Sequence, residues 1–220
     1  FKDVYEIDNK LKEIDGTKNF SNIGGNLALA ISLASLKAFA LNENLELYEY
    51  ISQFFKFKPK IPRLVCNVIG GGKHAGNVDF QEFLLISKSF NTLEEIEKIV
   101  KAYFEIADIL KSADKHFAFG RNLESAWITY LELKEILKIM KSISERYDLN
   151  FGIDFAASNL WNEKEQQYIY EKAGQKLSRT EQLLFIADLI DNYNLFYLED
   201  PFHEEDFVSF SALLNRYSKR

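Results

Sequence analysis

Two apolar runs in this chain end in acids: Phe151-Gly152-Ile153-Asp154 and Leu195-Phe196-Tyr197-Leu198-Glu199-Asp200. Read as strands, both carry a carboxylate to the carboxyl end, where an α/β barrel collects its catalytic groups. Two carboxylates opening into one bowl offer hard oxygen ligands to Mg2+. The plainer reading is that Asp154 caps a following helix and Asp200-Pro201 turns the chain, and local sequence leaves both open. A third candidate is Gly70-Gly71-Gly72-Lys73-His74-Ala75-Gly76. Its glycines would let backbone approach a ligand, with Lys73 or His74 facing an anion. Equally, it could be a tight turn between two strands. A P-loop is excluded, because Asn67 and His74 stand where Gly and Ser or Thr are required.

Other chemistries find little support. No Ser follows a Gly by two positions, so the nucleophile elbow is absent. One cysteine, Cys66, and three scattered histidines, His74, His116 and His203, do not make a zinc site. Cys66 lies in an apolar run and reads as inert core, while His116 and His203 read as surface residues. A single cysteine excludes a disulfide framework and suits a reducing cytoplasm. The net charge of −6, without a basic block, argues against nucleic acid. The longest apolar stretch, Leu27 to Leu41, holds 15 residues including Lys37 and is expected to be too short to span a bilayer. The chain opens on Phe1-Lys2-Asp3 with no visible signal peptide, and the absence of Met suggests a piece of something longer.

The elements that must position these residues follow from periodicity. Helices are expected over Val4 to Ile14, about Asn22 to Leu41, and about Leu45 to Phe54. Pro59 and Pro62 close this helical region, so 1–60 and 61–220 are expected as separate domains. Beyond Arg63, strands are expected at Leu64 to Ile69, Val78 to Ile86, Phe151 to Asp154 and Leu195 to Glu199, with a short outlying one at Tyr168 to Tyr170. Between them lie a helix from a capping box at Thr92-Leu93-Glu94-Glu95 to about Leu110, one over about Ile128 to Tyr147, and one from Ser178 and Glu181 to about Asn192. Strands separated by long helices mean α/β, with a parallel sheet or barrel expected.

In order along the chain, these segments resemble the enolase family. The resemblance rests on Asp15-Gly16-Thr17 with Ile23-Gly24-Gly25-Asn26, on Asn67 to Gly76 (with Gly70 where Asn is usual), and on Gln81-Glu82-Phe83. It continues in Gly152-Ile153-Asp154-Phe155-Ala156-Ala157-Ser158 and in Leu198-Glu199-Asp200-Pro201-Phe202. It implies the helical part of an enolase-type N-terminal domain over 1–60. Over 61–220 it implies an incomplete enolase-type α/β barrel with about five of eight strands. It further implies Mg2+-assisted interconversion of 2-phosphoglycerate and phosphoenolpyruvate in the full-length protein, a lyase reaction of glycolysis. Residue by residue, Asp154 and Glu199 match metal ligands, and His74, Gln81 and Glu82 match substrate-pocket residues. A homodimer is an open option.

The family's Gly-Asp-Glu-Gly, which carries the acid that assists hydroxide departure, has no direct copy. Aligned from Gly120, Arg121 and Asn122 stand at Asp and Glu; aligned from Ala126-Trp127, Glu124 stands at the catalytic Glu. The second alignment makes Glu124 the catalytic candidate. No residue matches the third metal carboxylate or the base lysine, so the chain alone is expected to be inactive. The rival expectation is a non-catalytic enolase relative with a binding or structural role, and a weaker third is another Mg2+-dependent member of the wider superfamily.

Overall fold

The computed structural model describes residues 1–74 and 76–218; the side chain of His74, a predicted pocket residue, lies outside what is described. The chain divides into two units, Phe1–Ile61 and Pro62–Arg220.

In the first unit, α1 (Val4–Asp15) starts at Asp3, whose carboxylate accepts the Glu6 N–H at 3.0 Å, and stops at Gly16 in the left-handed region. Asp15, 1% exposed, then folds the following turn around its carboxylate, accepting N–H groups from Thr17, Asn22 and Ile23. This turn launches α2 (Gly25–Asn42), which packs on α1 and on α3 (Leu47–Phe54). Starting earlier than the apolar run alone indicates, α2 has 18 residues and by length and composition could cross a membrane, a test that core helices of soluble proteins also pass.

The second unit is built on a mixed five-stranded sheet that is not closed, ordered β3-β1-β2-β4-β8. Its strands are β1 (Val65–Gly70), β2 (Glu82–Ile86), β3 (Trp127–Ile128), β4 (Asn150–Asp154) and β8 (Tyr197–Glu199). Within the expected α/β sheet, β2 runs antiparallel to both β1 and β4, while β1/β3 and β4/β8 are parallel. The cause is the connection between β1 and β2, which is too short for a crossover helix, so the chain must reverse. Residues 78–81, read as strand, fold back instead on the glycine cluster, Gly71 N–H donating to Gln81 O and Gly72 N–H to Val78 O, both at 2.9 Å. A small second sheet, β5 (Trp161–Asn162), β6 (Gln167–Tyr170) and β7 (Gln175–Leu177), contains the outlying strand.

Helices α4 (Thr92–Ala113), α5 (Leu133–Arg146) and α6 (Arg179–Tyr193) bury Ile99, Ile106, Leu110, Ile136, Leu137, Met140, Ile143, Ile186 and Ile190 in one core with Phe83, Leu85, Phe151 and Ile153; α7 (Phe207–Tyr217) packs on α6. The capping box forms at Ser178 and Glu181 but not at Thr92. There Glu95 is drawn inward, 1% exposed, to accept the Lys88 N–H at 3.0 Å and pair with Lys98. The expected helix from Ile128 begins only at Leu133, capped by Glu132 and Glu135. His203, expected at the surface, is half-buried against Trp161. At Gly152, strands β4 and β8 approach so closely that a Cβ would lie 2.4 Å from the Tyr197 carbonyl oxygen.

The delay of α5 has a local cause. Asp114, buried just past α4, accepts Thr129 Oγ1–H and Tyr130 N–H, both at 2.7 Å, and His116 N–H at 2.9 Å. These bonds pin both ends of the 115–130 segment, including β3. In Asp114→Ala, three donors lose their acceptor, all of them in partly or fully buried surroundings. At about 1–3 kcal/mol for each unsatisfied buried group, equilibrium denaturation should show a loss of at least ~2 kcal/mol. A loss below ~0.5 kcal/mol, the range of ordinary surface changes, would show that this carboxylate does not hold the segment.

Candidate functional site

Side chains alternate across a strand, so the partners of one register row share a face. Glu82 opposes Asp154 across β2/β4, and Asp154 neighbours Glu199 across β4/β8. Three carboxylates therefore stand in one row, on Cβ atoms about 5 Å apart from strand to strand. Gln81 lies one residue outside the row, its N–H donating to Asp154 O at 3.0 Å and its Nε2 to Asp154 Oδ2 at 3.4 Å. Tyr197 O–H donates to Glu199 at 3.2 Å.

Glu124 reaches this row from the loop between α4 and β3. Its carboxylate accepts from Asn67 Nδ2 at 3.0 Å and is hydrogen-bonded to Glu82. The other alignment's residues stand elsewhere: the Arg121 guanidinium lies 5.6 Å from the Trp127 ring, and Asn122 bonds back into its own turn. The structure thus brings Glu82, Glu124, Asp154 and Glu199 into one interacting group, with Gln81 beside them. Asn67 was not singled out from the sequence, although a polar residue inside an apolar strand run is an informative signal. Tyr197 carries no such signal, because an aromatic is ordinary in a strand.

Like charges make the row electrostatically tense. Burial first, then the hydrogen bond with Glu124 and the charges of Glu124, Asp154 and Glu199, push Glu82 up to about 8. Asp154, 7% exposed, is pushed up to about 6, chiefly by burial, against the Ala156 N–H that favours its charged form, with Glu199, Asp200 and Glu124 adding repulsion. A hydrogen bond between two carboxyl groups needs a proton on one of them, and Glu82 is placed to keep it.

Beside the row, sharing Gln81 with it, lies a cavity of about 290 Å³ lined also by Lys73, Asp79, Asn159 and Lys172. Lys73 Nζ donates to Asn159 Oδ1 at 2.7 Å; Lys172 Nζ donates to the carbonyls of Gly72 and Val78, and burial pulls its pKa down. The donor chemistry of Asp154 and Glu199, oxygen only and in excess negative charge, fits Mg2+. Among the described residues, however, no three His, Cys, Asp or Glu side chains converge as a metal cage would.

Comparison with known proteins gives a consistent result. The family model "Enolase, C-terminal TIM barrel domain" matches residues 58–220, and "Enolase, N-terminal domain" matches residues 1–51. The enolase of Methanosphaera stadtmanae is 41% identical, over 99% of this chain and 54% of the relative. That of Pyrobaculum aerophilum is 39% identical, over 98% and 53%, and that of Archaeoglobus fulgidus 37%, over 96% and 53%. The chain spans about half the length of the curated relatives it matches.

The Glu82 shift has a consequence for stability. From its ordinary value of 4.5 up to about 8, the unfolded chain releases a proton that the folded chain retains. Stability contributed by the protonated group is therefore full below about 4.5 and is lost as pH rises towards 8. With divalent metal chelated, Glu82→Gln should melt higher than the parent protein at pH 8 and level with it at pH 4. An equal difference at both pH values would remove the electrostatic account of the row.

Proposed function

This chain belongs to the enolase family, and on that premise we propose that the protein carrying it interconverts 2-phosphoglycerate and phosphoenolpyruvate in the cytoplasm, with Mg2+ as cofactor. The observation that supports this reading best is the Glu82–Glu124 hydrogen bond, set at the end of a carboxylate row. Loss of hydroxide from a carbon is slow unless a proton is delivered to the leaving oxygen. A carboxyl group that keeps its proton near neutral pH is suited to deliver it. In this reading Glu82 holds the proton of the resting pair and passes it across their hydrogen bond to Glu124, which delivers it to the leaving oxygen. His74 and Gln81 belong to the substrate pocket. Asp154 and Glu199 would hold the cation, which when bound supplies positive charge to a highly charged carboxylate intermediate. Asp154, pushed up chiefly by burial and further by its acidic neighbours, is a group that gains from a cation beside it.

The rival reading, a binding or structural relative without catalysis, draws on the altered loop, where Leu123 is fully exposed and Arg121 sits on Trp127. Glu124 paired with Glu82 supports the enzyme reading over it.

The test is a dehydration assay on the full-length protein that carries this chain, following phosphoenolpyruvate by absorbance. Turnover should require Mg2+ and stop on chelation, and Glu124→Gln should lower kcat by about 10²–10⁴-fold, the usual worth of general acid–base catalysis. The 220-residue chain by itself should show none above background, for want of a base and a third carboxylate. A Glu124→Gln protein with full kcat would sink the assignment of the acid. An inactive full-length protein would leave the binding or structural reading.

A further inference from the structure

The turn that carries Glu124 has no apolar anchor at its tip, where Leu123 is fully exposed. The Tyr103 hydroxyl donates to Ser125 O at 2.5 Å, and the N–H groups inside the turn are gathered by one side chain, Asn122. Asn122 Oδ1 accepts the N–H groups of Glu124 and Ala126, at 3.0 and 2.9 Å. The Asn122 backbone closes the same turn, its N–H donating to Ala126 O at 2.9 Å and its carbonyl accepting from Ser125 N–H at 3.0 Å. The other end of the amide is fixed by packing. Asn122 Nδ2 is buried, has no hydrogen-bond partner among the described residues, and sits in the space above Gly70 of β1. A Cβ on Gly70 would lie 2.3 Å from that nitrogen, closer than any real contact.

We propose that Asn122 is the positioning residue for Glu124, and that Gly70 and Asn122 are a matched pair in which the amide of one fills the side-chain space of the other. One amide fills the space between β1 and the loop, and exchanging Gly70 and Asn122 would fill it once from the other side. With Asn at both positions it would be overfilled, and with Gly at both it would be empty and the turn would lose its acceptor. Asn67 completes the support by holding the Glu124 carboxylate from β1, so backbone and side chain of the acid are each tied to an amide.

This proposal rests on the reading of Glu124 as the acid, and its test separates the two. In the full-length protein, Asn122→Gly, Gly70→Asn and the double exchange form a cycle, read by kcat, KM and melting temperature. Asn122→Gly should lower kcat by about 100-fold, the scale of an ångström-sized misplacement, with KM little changed. Gly70→Asn should lower both kcat and melting temperature, and the double exchange should recover most of what either single change loses. Residues in contact depart from additivity in this way, whereas independent ones do not. Wild-type kcat in Asn122→Gly, or a double exchange no better than the worse single, would overturn the proposal. If Glu124→Gln proves harmless, the acid assignment fails. The melting-temperature cycle then decides the pair alone: recovery in the double supports it and additive losses overturn it.

Discussion

The direction of β2 is the constraint on which the site depends. Glu82 is the first residue of its strand, whereas Asp154 and Glu199 are the last residues of theirs. They meet only because β2 runs against β4. A parallel β2 would carry Glu82 to the opposite end of a five-residue strand, roughly 15 Å away at the usual rise per residue. That direction is in turn imposed by the short connection after β1, which leaves no length for a crossover. A site of strand-terminal acids is thus the product of one reversal in the chain.

Holding repelling carboxylates side by side requires a frame that cannot relax. Beneath the row, Phe83, Leu85, Phe151 and Ile153 are locked in the core by α4, α5 and α6. Above it, the strand ends are laced together: Phe155 N–H donates to Glu199 O and Ala157 N–H to Asp200 O, each at 3.0 Å. Gln182, fully buried, adds a bond from its Nε2 to Pro201 O at 2.9 Å and accepts the Tyr170 hydroxyl at 2.7 Å. Two non-glycine residues at this edge, Ala156 (φ 44°) and Asp200 (φ 41°), are in the left-handed region. Such conformations cost of order 1–3 kcal/mol and persist where the surroundings over-determine them. Strain and charge repulsion are concentrated at the same strand ends, on the side opposite the apolar packing.

Much of this was legible in the chain itself. The helices of the first unit, α6 with its capping box, and strands β1, β4 and β8 follow from periodicity and caps, and the ordered motifs indicate the family. What was not legible has physical reasons. Strand direction is a property of connection length and glycine folding, and Val78 to Ile86 gives the same alternation either way. The Thr92 box has the right residues, but burial of Glu95 beside Lys88 and Lys98 outweighs the cap, because a carboxylate already desolvated gains more from a cation and a backbone N–H. Trp127 and Ile128 look like the start of a helix until Asp114, thirteen residues upstream, holds Thr129 and Tyr130 out of one. Glu124 was legible only as one of two alignments, since its place depends on Asn67 and Glu82, which are distant in sequence.

The two acids that share the proton are held in unlike ways, and this bears on how such a site can diverge. Glu82 is fixed by a central strand, while Glu124 rides on a turn whose sequence departs from the family's. After burial, the largest influences that raise Glu82 are its hydrogen bond to Glu124 and the charge of Glu124. The strength of the acid in the rigid strand therefore depends on the loop as well as on burial. Moving Glu124 away would remove two of the influences that raise Glu82, leaving burial and the charges of Asp154 and Glu199 in place, with no change in the strand. Changes in the loop therefore act on Glu82 without touching the sheet that carries it. Ser125 holds a φ of 65° where the family pattern has glycine. A side chain kept in that left-handed conformation, with Glu124 against Glu82, is held there by its surroundings, the Tyr103 hydroxyl on Ser125 O among them.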